Sequence, residues 1–181
     1  MDHVPLPVLE AGIEVIRGAP TDGGRVELIV RRPLVDSREV VTEARLDEAE
    51  GLVGDSWLER KGPAAADRDT QITLMGARSA ALIAGDHERW PPAGDQLYVD
   101  LDLSVANVPP GTQLRIGSAV LEATAEPHHG CGKFARRYGL DALKFVNSTV
   151  GRELNLRGIN ARVVRGGTIR TGDPIYKDST R

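Results

Sequence analysis

The sequence predicts a mainly β domain, closed or nearly closed into a barrel, with two or three short peripheral helices. Three observations predict it. Some eight to ten segments show period-two or β-branched patterning between Gly, Pro and Asp-Gly breakers. Few windows carry helical spacing. Strands and helices do not alternate regularly, which disfavours a parallel βαβ sheet, and closure removes exposed strand edges.

The elements follow in order. Gly12 to Arg17 reads as a short strand, and Thr21-Asp22-Gly23-Gly24 as a turn. Arg25 to Arg31 alternates, with Val26, Leu28 and Val30 on one face, and Pro33 ends it. Ser37 to Leu46 carries the β-branched run Val40, Val41, Thr42. Gly51 to Asp69 has poor periodicity and reads as a long loop. Gln71 to Leu74 is a short strand, and alanine-rich Ala77 to Ala84 a helix closed by Gly85. Asp95 to Leu103 alternates as a strand. Thr112 to Ile116 and Ala119 to Thr124 form a hairpin, and Gly117-Ser118 suits a type II′ turn. Lys133 to Tyr138 and Leu140 to Val150 are helical, with Gly151 as the stop. Ala161 to Arg165 and Thr168 to Arg170 read as a hairpin around Gly166-Gly167, and Ile175 to Lys177 as a closing strand.

A chain of 181 residues without repeats or linkers is expected to form one domain over residues 1–181, with its core in residues 10–177. Aromatics are only 4%, so aliphatic side chains must fill that core. A net charge of −3 and the lack of a basic-aromatic pattern argue against nucleic acid as a partner. No apolar run is long enough to span a bilayer, and the N-terminus lacks the basic and apolar regions of a signal peptide. The one cysteine can form no intrachain disulfide, so a cytoplasmic location is expected. Charge is uneven: residues 36–59 hold eight acids and two bases, residues 126–170 nine bases and three acids. The second run reads either as an anion site or as a solvated basic face.

The densest chemistry lies in Pro127-His128-His129-Gly130-Cys131-Gly132-Lys133-Phe134-Ala135-Arg136-Arg137, where a strand gives way to a helix. Flanking glycines let the backbone turn and present the sulfur. A helix starting just after Cys131 would aim unpaired N–H groups and its positive dipole end at the thiol. Lys133, Arg136 and Arg137 add charge, and all these features favour thiolate. A thiolate can be a nucleophile, a sulfur carrier or a soft metal ligand. The plainer alternative is a small buried hydrophobe. His128 and His129 are candidate acid–base groups or anion donors, or else satisfied surface histidines. Zinc is not expected, because adjacent histidines diverge in an extended segment and no second Cys/His cluster exists. Arg157 joins Lys133, Arg136 and Arg137 as a candidate phosphate contact. Asp55, ending Gly51-Leu52-Val53-Gly54-Asp55, is a candidate binding residue or a turn-stabilising acid.

These pieces, in this order, resemble the MOSC domain family, named for the C-terminal domain of molybdenum cofactor sulfurases. The resemblance rests on Gly51-Leu52-Val53-Gly54-Asp55, Pro110-Gly111-Thr112-Gln113-Leu114-Arg115-Ile116-Gly117, Cys131 after a proline-bearing strand end, and Gly167-Thr168-Ile169-Arg170-Thr171-Gly172-Asp173. It spans residues 10–177 and implies a stand-alone, bacterial-type small member. It implies a β-barrel, with Cys131 matching the family's hallmark cysteine as catalytic thiolate, persulfide carrier or molybdenum ligand. It further implies a molybdopterin-type or other small anionic ligand, a possible sulfur-donor protein, and a sulfur transferase or a component of a reductase for N-oxygenated compounds. Pyridoxal phosphate binding is associated with the family only in general terms. Where many relatives read Gly-Glu-Asn-Leu, this chain reads Gly94-Asp95-Gln96-Leu97. The competing reading is a non-catalytic barrel that binds a small anion or a protein, with Cys131 as a pocket wall.

Overall fold

The computed structural model describes residues 3–62 and 67–178. In chain order these form α1 (Leu6–Ala11), α2 (Ile13–Arg17), β1 (Gly24–Arg31), β2 (Glu39–Val41), β3 (Glu43–Asp47), β4 (Gly51–Leu52), α3 (Trp57–Lys61), β5 (Ile72–Gly76), α4 (Ala77–Ala84), β6 (Leu97–Asp100), β7 (Gln113–Ile116), β8 (Ala119–Ala123), α5 (Gly132–Asn147), α6 (Thr149–Glu153), β9 (Ile159–Arg165), β10 (Gly167–Arg170) and β11 (Pro174–Lys177). The main sheet runs β11-β7-β8-β9-β5-β6-β1, and β11 pairs back onto β1, so seven strands close a barrel with β2 appended to β1. Every pairing in it is antiparallel except β5–β6. The predicted barrel is therefore present, and its short helices are more numerous than expected among the described residues.

Two apolar clusters explain the layering. Inward residues such as Val26, Ile72, Leu74, Leu97, Val99, Leu121, Ala161 and Ile175 fill the barrel. Outward residues such as Leu28, Met75 and Tyr98 pack under the helices with Leu9, Ile83, Phe134, Tyr138 and Phe145. Period-two alternation through β5 and β6 feeds both layers. The strand β1 departs from the predicted one-face pattern. Its register with β6 shifts between Val26 and Leu28. Val26 and Ile29 consequently face inward, while Leu28 and Val30 face the helices.

Several local expectations need correction. Residues 12–17 are helical; Ile16 is buried in the helical layer, and Ile13 packs against it. The Ser37–Leu46 stretch splits into β2 and β3, which belong to different sheets. The loop from Gly51 holds β4 and α3, and residues 63–66 of it lie outside the described residues. Gly151 does not stop a helix but lies inside α6, where a Cβ would meet the Phe145 carbonyl oxygen at 2.3 Å. The expected hairpin at Gly166-Gly167 does not form, because β10 pairs with β3 in a separate three-stranded sheet. A Cβ on Gly167 would sit 2.6 Å from Ser118, so glycine lets the chain pass the β7–β8 turn. The break at Gly139 (φ 93°) does divide α5 where the two helical segments were expected to meet. Among the described residues no helix is long and apolar enough to cross a membrane.

The β7–β8 turn gives a testable contrast. Gly117 and Gly111 both have positive φ, 56° and 90°. A Cβ on Gly117 would also lie 2.3 Å from the Thr168 carbonyl oxygen, whereas Gly111 faces open space. Gly111→Ala should cost about 1 kcal/mol from backbone strain alone. Gly117→Ala should cost clearly more, read as a larger drop in urea midpoint, and the reverse order would refute the account.

Candidate functional site

After β8 the chain runs as an extended strap, residues 124–130, to the start of α5. Side-chain bonds hold it along its length, beginning with the Thr124 hydroxyl, which donates to the Asp69 carbonyl at 2.7 Å. Asn160 on β9 donates to the Glu126 carbonyl at 3.0 Å. His128 Nε2 meets Asp95 Oδ1 at 2.8 Å. Asn147 accepts from the Gly130 N–H at 2.9 Å and donates to its carbonyl at 3.0 Å. Gly130 is needed for space rather than for a turn, since a Cβ there would lie 2.8 Å from Leu143 and Val146. Neither Gly130 nor Gly132 has a positive φ.

Cys131 follows as the N-cap of α5, exposed, with its carbonyl accepting the first helical bond from Ala135 at 3.0 Å. Partial burial pulls its thiol pKa up. The Phe134 and Lys133 backbone N–H groups, which face the sulfur without closing a full cap bond, and the charges of Arg157 and Lys133 outweigh that and lower it.

The sulfur opens onto a cleft of about 210 Å³ lined by Arg32, Arg38, Arg60, Lys133 and Arg137, with Asp36 on the rim. Arg32 is fixed by a bidentate pair with buried Asp55 at 2.8 and 2.9 Å. Asp55 also accepts the backbone N–H groups of Arg32 and Trp57. The acid ending Gly51-Leu52-Val53-Gly54-Asp55 thus stands behind Arg32. Arg38 donates to the Pro91 and Ser37 carbonyls, and Arg137 to the Pro92 carbonyl and Asp36. Burial first, then Arg137 and Arg32, depress the Arg38 pKa; burial and Arg32 do the same to Arg60. Arg32 and Arg60 also border a second lobe of about 410 Å³ with Trp57, Thr73, His128 and Asn160.

Cys131, Lys133 and Arg137 therefore share the cleft, and His128 lines the adjoining lobe. Arg136 is exposed and is not part of the lining. His129 is exposed and lines, with His128, Arg157 and Asn160, a further cavity of about 230 Å³. Arg157 is buried, with Nη1 on Asp95 at 2.6 Å, Nη2 on the Ala93 carbonyl at 2.9 Å, and its guanidinium 5.1 Å from the Phe134 ring centre. The sequence reading missed Arg32, Arg38 and Arg60. Their signal was slight: Arg32 directly precedes Pro33 at a strand end, Arg38 is one of two bases in the acidic run 36–59, and Arg60 follows that run. Among the described residues no group of three His, Cys, Asp or Glu side chains is arranged to hold a metal ion.

The family model for the MOSC domain matches residues 66–176, from before β5 through most of β11. The chain belongs to the MOSC domain family. Among solved structures, YuaD of Bacillus subtilis is similar over 87% of this chain and 97% of its own, at 16% identity and a TM-score of 0.64. YiiM of Escherichia coli matches over 87% of this chain and 71% of its own, at 20% identity and a TM-score of 0.59. YiiM of Geobacillus stearothermophilus matches over 86% and 75%, at 15% identity and a TM-score of 0.58. These likenesses are of fold. No curated protein sequence matches significantly.

The buried groups of this MOSC domain predict an acid-sensitive fold. Burial, reinforced by Arg157, lowers the His128 pKa against the pull of Asp95. Burial raises the Asp95 pKa, but Arg157 and His128 outweigh it and hold the carboxyl at about 2. An unfolded histidine titrates near 6.5 and aspartate near 3.9, so the unfolded chain takes up protons first in both cases. Stability should hold above pH ~6.5, decline below it, and decline again below pH ~4. Urea midpoints against pH check this: His128→Gln should flatten the upper limb and also shrink the lower one, since one of the two groups that hold the Asp95 carboxyl down is lost. An unchanged upper limb in that variant would contradict the assignment.

Proposed function

We propose that this MOSC domain handles sulfur at Cys131, either as a thiolate and persulfide carrier or as the cysteine donor to a molybdenum pterin. The basic cleft would hold the anionic part of the ligand. The observation that carries the reading is an exposed cysteine with a lowered pKa at a helix N-terminus, facing five cationic side chains.

The persulfide step balances within this site. The Sγ thiolate attacks the outer sulfur of a donor persulfide; a new S–S bond forms as the donor's breaks, and the donor leaves as thiolate. A sulfur-donor protein is the partner class this step calls for. The neighbouring cations would stabilise the anionic persulfide on Cys131.

The donor set also fits a molybdopterin-type group. One soft sulfur is offered, and the remaining lining suits phosphate rather than metal. Arg38, Lys133 and Arg137 would hold the phosphate, and the lobe with Trp57, Thr73 and Asn160 would take the ring system. When bound, such a group supplies two-electron redox chemistry at the metal, the basis of a sulfur-transferase role or of a reductase for N-oxygenated compounds. His128 lines that second lobe and is pushed toward its neutral form, which suits a proton acceptor. A second reading is favoured by the carbonyl bonds that already fix Arg38 and Arg137. The cleft would then be a preorganised small-anion site, with Cys131 only its wall.

Protein expressed with molybdate should carry either sulfane sulfur, seen as one added sulfur in the intact mass, or molybdenum by metal analysis. Cys131→Ser should carry neither. Wild type lacking both while still binding inorganic phosphate would favour the anion-module reading. Arg38→Ala and Arg137→Ala should each weaken phosphate binding roughly tenfold, the loss of one charge-assisted hydrogen bond.

A further inference from the structure

The carboxylate of Asp95 is fully buried, at 0% exposure. Neither of its two principal partners lines the Cys131 cleft; each instead controls one of the chain segments that flank the cysteine. Through His128 it grips the strap three residues before Cys131. Through Arg157 it grips a guanidinium that lies over the ring of Phe134, three residues after Cys131. Among the described residues Asp95 is the one carboxylate paired with Arg157. Its Nη2 meets a neutral carbonyl, and its buried Nε has no hydrogen-bond partner among the described residues.

We propose that Asp95 is the positioning residue for Cys131: its two oxygens lock the strap through His128 and the first turn of α5 through Arg157 and Phe134, and so set where the sulfur stands at the cleft. The proposal rests on the reading of Cys131 as the reactive centre, but not on which group that cysteine carries. Asp95 is not itself among the residues that line the cleft, so it acts through its partners.

The pH profile of Cys131 alkylation by iodoacetamide separates positioning from plain electrostatics. The charged groups facing the sulfur are Lys133 and Arg137 on α5, Arg60 on α3, Arg32 and Arg38 after β1, Asp36 on the rim, and Arg157 behind. If the geometry stayed fixed, Asp95→Asn would remove a negative charge and the thiol midpoint would fall. If Asp95 positions the sulfur, the strap and helix start loosen and the aligned N–H groups are lost. The midpoint then rises toward about 8.5, the ordinary thiol value. We expect the rise, together with a roughly tenfold slower alkylation at neutral pH. Asp95→Glu keeps both charge pairs and should restore most of the wild-type profile. A folded Asp95→Asn with an unmoved or lowered midpoint overturns the proposal. Should Asp95→Asn fail to fold, His128→Leu, which can offer no hydrogen bond to Asp95, cuts the strap arm alone without changing charge at neutral pH. It should raise the midpoint by a smaller amount, and no rise there overturns the proposal equally. Alkylation is read on protein without ligand, so absent sulfane sulfur or molybdenum would count against the proposed function and leave this result standing.

Discussion

Closure of the barrel is the constraint on which the rest depends, and it rests on a short seam. The strand β11 pairs with β7 along three residues and with β1 along two, Gly24 with Ile175 and Arg25 with Pro174. A Cβ on Gly24 would lie 2.3 Å from the Asp100 carbonyl oxygen of β6, so the residue that meets Ile175 at the seam is held to glycine by its other neighbour. Pro174 stands at the first residue of its strand, where a missing N–H costs least. With the ring closed, aliphatic side chains fill the interior and the outer wall becomes a platform. The one parallel pair, β5–β6, requires a crossover, and α4 supplies it across that wall. The return from this crossover passes through Pro91-Pro92-Ala93-Gly94 and delivers Asp95 just before β6. Fold and site are joined at this point.

Two buried carboxylates then organise the cationic face. Asp55 neutralises Arg32 and Asp95 neutralises Arg157, each by short charge-assisted bonds. Leaving either arginine unpaired would be costly, since a buried charge without a partner is far more expensive than a buried pair. The remaining cations are placed differently. Arg38 and Arg137 are tied mainly to backbone carbonyls, with exposed Asp36 the only acid in the lining. Burial first, and then the neighbouring charges of Arg137 and Arg32, depress the pKa of Arg38. An incoming anion would offset those charges. The cleft is therefore electrostatically incomplete in a way that its buried supports are not.

The barrel was legible because alternation and breakers are local signals. Gly85, Gly117 and Gly139 stand where a helix end, a hairpin and a helix break were expected. What failed was whatever depends on partners remote in sequence. Ile13 and Val15 alternate as a strand would, yet no sheet edge is offered there, and Ile16 is drawn into the helical layer instead. Ala161–Arg165 and Thr168–Arg170 carry a hairpin pattern, but β3 competes for β10 and Gly166-Gly167 lets the chain change sheets. The same limit applies to the site. Cys131, Lys133 and Arg137 were readable from one contiguous segment. Arg32, Arg38 and Arg60 reach the cleft from about seventy to a hundred residues upstream, brought there by β1 and α3. Arg157 looked like a surface phosphate contact because its buried partner, Asp95, lies more than sixty residues away.

The position of the sulfur bears on which chemistry the domain can support. A cysteine meant only to fill space would lie inside one of the two apolar clusters, and Cys131 is in neither. It is exposed at a helix start, beyond a strap clamped at both ends and in the middle. Clamping an exposed residue so thoroughly costs conformational entropy and adds little to the core. That arrangement suits a sulfur that a second molecule must reach in a fixed orientation, whether a donor persulfide or a metal carried by an anionic ligand. On the proposed reading the basic cleft would select for charge and the clamps for geometry. The carboxylate of Asp95 couples the two, because the arginine it holds also contributes to the field at the sulfur.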